Sequence, residues 1–280
     1  MSKGFLVVAE NNNNIDFIEM AYLLALSLHQ SQSKYKSLSI ITTETDIDEK
    51  YKKVFDKIIV KDKQDNWSEF SKSIDTTHLC ASYYDETPYD ETIVLDADFL
   101  FTVDIDNWWT ILGKHDLVFT QRVKTFRDED IDEHDNFYRR LFKENNLPNI
   151  YTGMFYFKKS DKSELFFNTV KYVFENWKEF YKDLEGPKTD FLSADVAYAI
   201  AYRILDLPDM TYLSVPTFVH MKTRLQNISN ISEEWSEDMI VSLKDYDLKI
   251  NNYSQKYPFH YHDKKFVTRS LLENFEQVLR

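Results

Sequence analysis

"ETIVLDADFLFTVD", residues 91–104, decides how this chain is read. The stretch opens with a buried-looking run, Ile93, Val94 and Leu95, and closes it with two aspartates one residue apart, Asp96 and Asp98. Side chains alternate along a strand, so the two carboxylates share a face while Ala97 takes the other. Carboxylates are costly to bury unless something positive meets them. The candidates are a metal ion, a basic side chain or plain solvent. In open α/β sheets, ligands bind at the carboxyl end of a buried parallel strand. Two hard oxygen donors there suit Mg²⁺ or Mn²⁺, held partly by substrate phosphates.

The segments before this strand alternate in period. Phe5 to Ala9 is a short apolar run, as expected of a strand buried on both faces. Ile15, Ile18, Tyr22, Ala25, Leu26 and His29 recur at helical spacing, which predicts a helix over about 15–31. A strand from Ser37 to Thr42, a helix near 46–55, a strand from Lys57 to Val60 and a helix over 74–84 follow. The order βαβαβαβ implies a parallel sheet with helices on both faces.

Beyond it the pattern is less regular. A short helix over Asp104 to Leu112 carries Trp108 and Trp109, and "DLVFT", 116–120, reads as a strand. Residues 122–147 carry charges of both signs and read as a long surface excursion. "IYTGMFYF", 150–157, is a strand; helices are predicted over 161–184 and 190–204, the first opened by Asp161 and Glu164 as a capping box. The tail holds a strand, "YPFHYH", and a helix over 268–279. The expectation is one α/β domain, 1–280, its sheet turning from parallel to mixed in the second half.

Composition narrows the function. With 280 residues, 43% of them hydrophobic, the chain can bury a sizeable core. No run of 18 apolar residues is present, so no membrane span is expected. The single Cys80 suits a reducing cytoplasm. A net charge of -13 disfavours generic binding to phosphate backbones. With only four glycines, no glycine-rich phosphate loop can be written. A bound nucleotide would therefore need a metal and Lys, Arg or His to meet its phosphates. A phosphatase of the haloacid-dehalogenase class wants Thr two residues after the second Asp, where this chain has Leu100.

The strand order ending in "IVLDADFLF" resembles that of GT-A (Rossmann-like) glycosyltransferases, especially the glycogenin-like group. Three further stretches follow in the family's order: "YTGMFYF" around Gly153, "LSADVAYAIA" around Asp195, and "PFHYHDKKF" near the end. The resemblance implies a nucleoside diphosphate sugar, with UDP-glucose the expected donor, held through Mn²⁺ or Mg²⁺. It places the metal on Asp96 and Asp98, completed by His260 or His262, and a diphosphate contact on Lys264 or Lys265. It places the nucleoside on Ala9, Glu10 and Asn11, and the sugar near Ala97 and Gly153. The halves 1–104 and 105–280 become donor and acceptor sides. The sequence departs from the family in Asp195-Val196, where an Asp-Gln pair is usual, and in the late motif, which lacks Gly and Lys-Pro-Trp. His78 stands where a basic residue is often found on the helix before the aspartates.

Each candidate also has a plain structural reading. His220, Lys222 and Arg224 alternate in "FVHMKTR" and read either as a phosphate or acceptor face or as a solvated edge strand. Asp195 reads as a surface contact, a ligand of sugar hydroxyls or a general base, with Asp190 the second candidate base. In its overall tenor the chain resembles the small tailed-phage glycosyltransferases that add a second sugar to glucosylated hydroxymethylcytosine in double-stranded DNA. Two basic clusters support that acceptor: Lys50, Lys52, Lys53, Lys57, Lys61 and Lys63, and Arg122, Lys124, Arg127, Arg139, Arg140 and Lys143. The alternatives are a saccharide or protein acceptor, or a non-catalytic nucleotide-sugar-binding module. A nucleotidyltransferase would want a glycine-rich signature after the first strand, which "AENNNN" lacks.

Overall fold

The computed structural model describes residues 1–12, 14–62, 77–131, 137–186, 192–222 and 232–279. In chain order its elements are β1 (Lys3–Val8), α1 (Phe17–Ser31), β2 (Leu38–Thr42), α2 (Glu49–Lys52), β3 (Ile58–Val60), α3 (Thr77–Cys80), α4 (Tyr83–Glu86), β4 (Glu91–Leu95) and β5 (Phe99–Leu100). There follow α5 (Trp108–Leu112), β6 (Leu117–Thr120), α6 (Phe137–Glu144), β7 (Tyr151–Lys158), α7 (Asp161–Glu175), α8 (Trp177–Asp183) and α9 (Ala194–Ile204). The last elements are β8 (Val219–His220), α10 (Trp235–Asp238), β9 (Val241–Lys244), β10 (Asp247–Ile250), β11 (Tyr253–Ser254), β12 (Phe259–His260) and α11 (Arg269–Glu276).

A six-stranded sheet of order β3-β2-β1-β4-β7-β6 forms the centre. The pairs β1–β2, β1–β4 and β2–β3 are parallel, whereas β7 runs antiparallel to β4 and β6. This is the expected architecture, a mostly parallel sheet turning mixed in its second half. All five residues of β4 are buried, as a central strand covered on both faces must be. Phe5, Val7, Ile93 and Leu95 pack into a core with α1 and α5; Leu6 and Val94 pack into a second core with α7 and α9. The β4 strand therefore ends between two apolar layers, and Asp96 is the first residue past it.

Several predicted elements change on the structure. The helix over 161–184 is broken at Asn176, whose φ of -111° and ψ of 24° leave the helical basin. The Asn176 side-chain amide donates to the Tyr172 carbonyl, the local competition that makes Asn a weak helix residue. The helix near 46–55 shrinks to one turn, Glu49–Lys52, capped by Asp48. The stretch 122–147 is more than a surface excursion: Val123, Phe126, Arg139, Leu141 and Phe142 are all buried. The predicted helix over 190–204 starts at Ala194, with the Ser193 hydroxyl accepting from the Val196 N–H. The three-stranded sheet β11-β10-β9 was not read from the sequence. Another small sheet, β5-β12-β8, positions the site. No helix among the described residues is long and apolar enough to cross a membrane.

Candidate functional site

The small sheet carries the end of the chain to the two aspartates. β12 pairs antiparallel with β5, setting His260 opposite Phe99, and parallel with β8, setting His260 beside His220. The Asp98 carbonyl accepts from the Tyr261 N–H, fixing the register at the acid itself. His260 Nε2 then lies 2.9 Å from Asp98 Oδ1 and 3.5 Å from Asp96 Oδ2. The His260 ring stacks on Phe99 at 4.3 Å between centroids and 13° between planes. One ligand atom from each of Asp96, Asp98 and His260 falls within 4.8 Å of the others.

Lys264 closes this cluster. It stands on a 3-10 turn, Lys264–Phe266, entered through Asp263, whose carboxylate accepts from the Lys265 N–H and from Ser236. The ammonium donates to Asp98 Oδ2 at 2.6 Å. Burial alone would push the Asp98 carboxyl up; His260 and Lys264 beside it outweigh that and hold it well below the usual carboxylate range. Asp96 moves the other way. Burial is the largest cause and, joined by the charges of Asp98 and Asp195, it overcomes His260 and Lys264 and pushes the carboxyl up to about 6. The Asp96 side chain is 48% exposed, so solvent trims the size of that push and leaves its direction.

Gly153 sits against both acid and imidazole. A Cβ there would come 2.9 Å from Asp96 Oδ2 and 3.2 Å from His260 Cε1. The Gly153 carbonyl also accepts from the Asp96 N–H at 2.9 Å. The close approach of backbone to carboxylate explains a glycine in the middle of a strong strand.

Asp195, in the first turn of α9, ties the start of β7 in place. Its Oδ1 accepts from the Thr152 N–H at 2.9 Å and the Thr152 hydroxyl at 2.6 Å, and its Oδ2 accepts from Arg139 at 2.8 Å. Arg139 is 4% exposed and lies over the Tyr151 ring at 3.7 Å. Both Asp195 oxygens are thus occupied within the protein, which suits positioning better than proton abstraction. Arg139, Thr152, Tyr151 and Phe99 were not singled out as site residues from the sequence. The apolar Leu141 and Phe142 beside Arg139 were the available sign that its segment turns inward.

The remaining candidates fall in several places. His220 and His262 join the cluster: His262 Nε2 lies 3.0 Å from His220 Nδ1. Burial, then the neighbouring imidazoles, hold both rings well below the ordinary histidine range. Lys222 is exposed, and its N–H donates to His220 Nδ1 at 3.2 Å. Lys265 is not brought to the acids: its ammonium pairs with Glu234 at 3.0 Å and Glu237 at 2.8 Å. Ala9, Glu10 and Ala97 are buried. Asn11 is engaged in local structure, its side-chain Oδ1 accepting from the Ile18 N–H at the start of α1 and its backbone N–H donating to Glu44. Asp190, Arg224 and the His78 side chain lie outside the described residues. A cleft of about 1030 Å³ opens away from the aspartates, beside Arg139, Arg140, Lys143 and Arg203. It shares Arg139 with the Asp195 network. The side chains that could hold a metal gather around Asp98 rather than along this cleft.

No family model matches the sequence, and no curated protein matches it. Among solved structures, the chain is similar to the glycosyltransferase GlyE of Streptococcus pneumoniae TIGR4, at 12% identity and a TM-score of 0.40, over 79% of this chain and 46% of that one. It is also similar to the galactosyltransferase LgtC, at 15% identity and a TM-score of 0.41, over 67% of this chain and 68% of that one. Mouse xyloside xylosyltransferase 1 matches at 13% identity and a TM-score of 0.44, over 72% of this chain and 82% of that one. The chain spans under half the length of GlyE and of the bifunctional WbbM. At this distance the likenesses carry no site by themselves.

Proposed function

We propose that this chain is a metal-dependent glycosyltransferase, moving a sugar from a nucleoside diphosphate sugar to an acceptor hydroxyl, with UDP-glucose the first candidate donor. One observation carries the reading: two carboxylates at the end of a buried central strand converge with His260 and Lys264 from the far end of the chain. The residues fit a hard divalent cation. Asp96 and Asp98 supply oxygens, His260 a nitrogen, and the set already draws a cation, the Lys264 ammonium, onto Asp98. A bound Mn²⁺ or Mg²⁺ would supply charge stabilisation for a departing diphosphate.

The chain's own residues divide the other tasks. Asp96, Asp98 and His260 would hold the ion. Lys264 would meet a phosphate oxygen once its pairing with Asp98 is exchanged for that contact. Gly153 leaves room for the Asp96 carboxylate and the His260 ring, which a side chain there would push aside. Asp195 and Arg139 hold the Tyr151–Thr152 end of β7, and so Gly153, in position.

For the acceptor we favour glucosylated hydroxymethylcytosine in double-stranded DNA, whose sugar projects into the major groove. A saccharide or protein hydroxyl is the second reading, supported by the pairing of the basic residues. Lys50 pairs with Glu276, Lys52 with Glu49, Lys61 with Glu86 and Lys124 with Asp130, which leaves less free charge for a phosphate backbone. The deciding experiment is a thermal-shift panel of nucleotide sugars with and without Mn²⁺. Stabilisation by one donor only with metal supports the transferase, and none with any donor sinks it. UDP-glucose hydrolysis that is lost in Asp98→Ala separates an enzyme from a binding module. Transfer to modified DNA should fall steeply with salt, and a flat response would favour the second acceptor class.

A further inference from the structure

We propose that His220, His260 and His262 form a second, nitrogen-lined metal site beside the aspartate pair, suited to Zn²⁺. One ring nitrogen from each lies within 4.8 Å of the others, the same closeness found for Asp96, Asp98 and His260. Three imidazoles with an open fourth position are a donor set that Zn²⁺ takes and that Mg²⁺ or Mn²⁺ does not prefer.

The backbone builds this set. The parallel register of β8 on β12 places His220 directly beside His260. His262 has a left-handed backbone with φ of 56°, uncommon for a residue with a side chain. Such backbone collects where a side chain must be aimed, and here its ring lies 3.9 Å from the His260 ring and 4.4 Å from the His220 ring, between centroids. His220 and His260 are 5% and 3% exposed. His260 Nδ1 is buried without a hydrogen-bond partner among the described residues, a polar atom that interiors rarely leave unmet.

The hydrogen bonding points the same way. The Lys222 N–H donates to His220 Nδ1, so that nitrogen carries a lone pair. His262 Nε2, 3.0 Å away, must then carry the hydrogen between them. In the neutral ring this leaves a lone pair on His262 Nδ1 facing Asp98 Oδ2 at 3.7 Å, two electron-rich atoms opposed. Zn²⁺ in place of the shared hydrogen resolves the opposition. His262 then binds through Nε2, and its ring hydrogen moves from Nε2 to Nδ1, where it faces the Asp98 carboxylate. Metal-bound histidines are commonly oriented by a carboxylate on their other nitrogen. Zn²⁺ on His220 Nδ1 would take the lone pair that the Lys222 N–H now meets, on a residue exposed to solvent.

The test uses Zn²⁺ alone and Mn²⁺ alone on the full chain, without any donor sugar. X-ray absorption on the wild-type protein loaded with one Zn²⁺ should count three imidazoles; fewer than three overturns the proposal, and this measurement needs no variant to fold. By calorimetry, His220→Asn should weaken Zn²⁺ at least tenfold while Mn²⁺ affinity stays within twofold. A smaller loss for Zn²⁺, or an equal loss for both ions, overturns it. Failure here, with Mn²⁺-dependent UDP-glucose binding intact, would leave the transferase reading standing.

Discussion

The Lys264 ammonium lies 2.6 Å from Asp98 Oδ2, so the structure fills part of the proposed cation site with a cation of its own. Any divalent ion reaching Asp98 has to share or displace that partner. Asp98→Asn should therefore remove Mn²⁺-dependent donor binding and lower activity by on the order of 10²-fold or more. Losing the charge also strands Lys264 and His260. The stability cost should be about 1–3 kcal/mol, below the range for fully buried pairs because Lys264 is 32% exposed. Calorimetry and thermal unfolding read the two effects separately, and unchanged Mn²⁺ uptake would remove Asp98 from the metal site.

Gly153→Ala isolates the close approach to Asp96. The added methyl meets Asp96 Oδ2 at 2.9 Å and His260 Cε1 at 3.2 Å, so the acid or the imidazole must shift. Mn²⁺ affinity should fall about tenfold or more, with a stability loss of about 1–3 kcal/mol as for other overpacked sites. Wild-type Mn²⁺ affinity in a folded Gly153→Ala protein would show that the site tolerates the displacement.

Asp96 and Asp98 should give opposite pH signatures. The folded-state pKa of Asp96 is raised, so the stability it contributes is present below the unfolded value of 3.8 and is lost as pH rises toward 6. The folded-state pKa of Asp98 is lowered, so its contribution is present above 3.8 and is lost as pH falls through its depressed value. A bound cation offsets the cost of ionising Asp96. The Mn²⁺-induced rise in Tm should therefore be larger at pH 7.5 than at pH 5.5, and an equal rise at both would contradict the assignment of Asp96.

Asp195→Ala should act on stability before chemistry. It leaves the Arg139 guanidinium, whose side chain is 2% exposed, without its carboxylate partner. Removing one member of such a pair costs about 3–5 kcal/mol, a drop in Tm on the order of 5–10 °C for a chain of this size. A variant with unchanged Tm and abolished turnover would instead place Asp195 on the substrate.

The aspartate pair and its strand were legible because strand alternation, burial and the carboxyl-end rule are all local signals in "IVLDAD". His260 and Lys264 were legible only by their order in the chain. His220 was read as part of a phosphate or acceptor face or of a solvated edge strand, since nothing in a two-residue strand announces that it will lie parallel to β12. The pairing of Asp195 with Arg139 spans 56 residues between segments that carry no shared period. Lys265 was a candidate by adjacency to Lys264, and the 3-10 turn sends the two ammonium groups to different acids. Asn176 marks a helix break through its side-chain amide, which competes with the ladder on a scale that apolar spacing does not register.

Asp98 meets His260 and Lys264 across separations of 162 and 166 residues. During synthesis, β4 leaves the ribosome long before either partner exists. A nascent chain stalled short of β12 would carry an acid pair with neither imidazole nor ammonium to steady it. Fragments ending before residue 259 should thus fail to retain divalent ions even where the central sheet has formed. At the proposed metal site, ion retention arrives only when β12 docks beside β5.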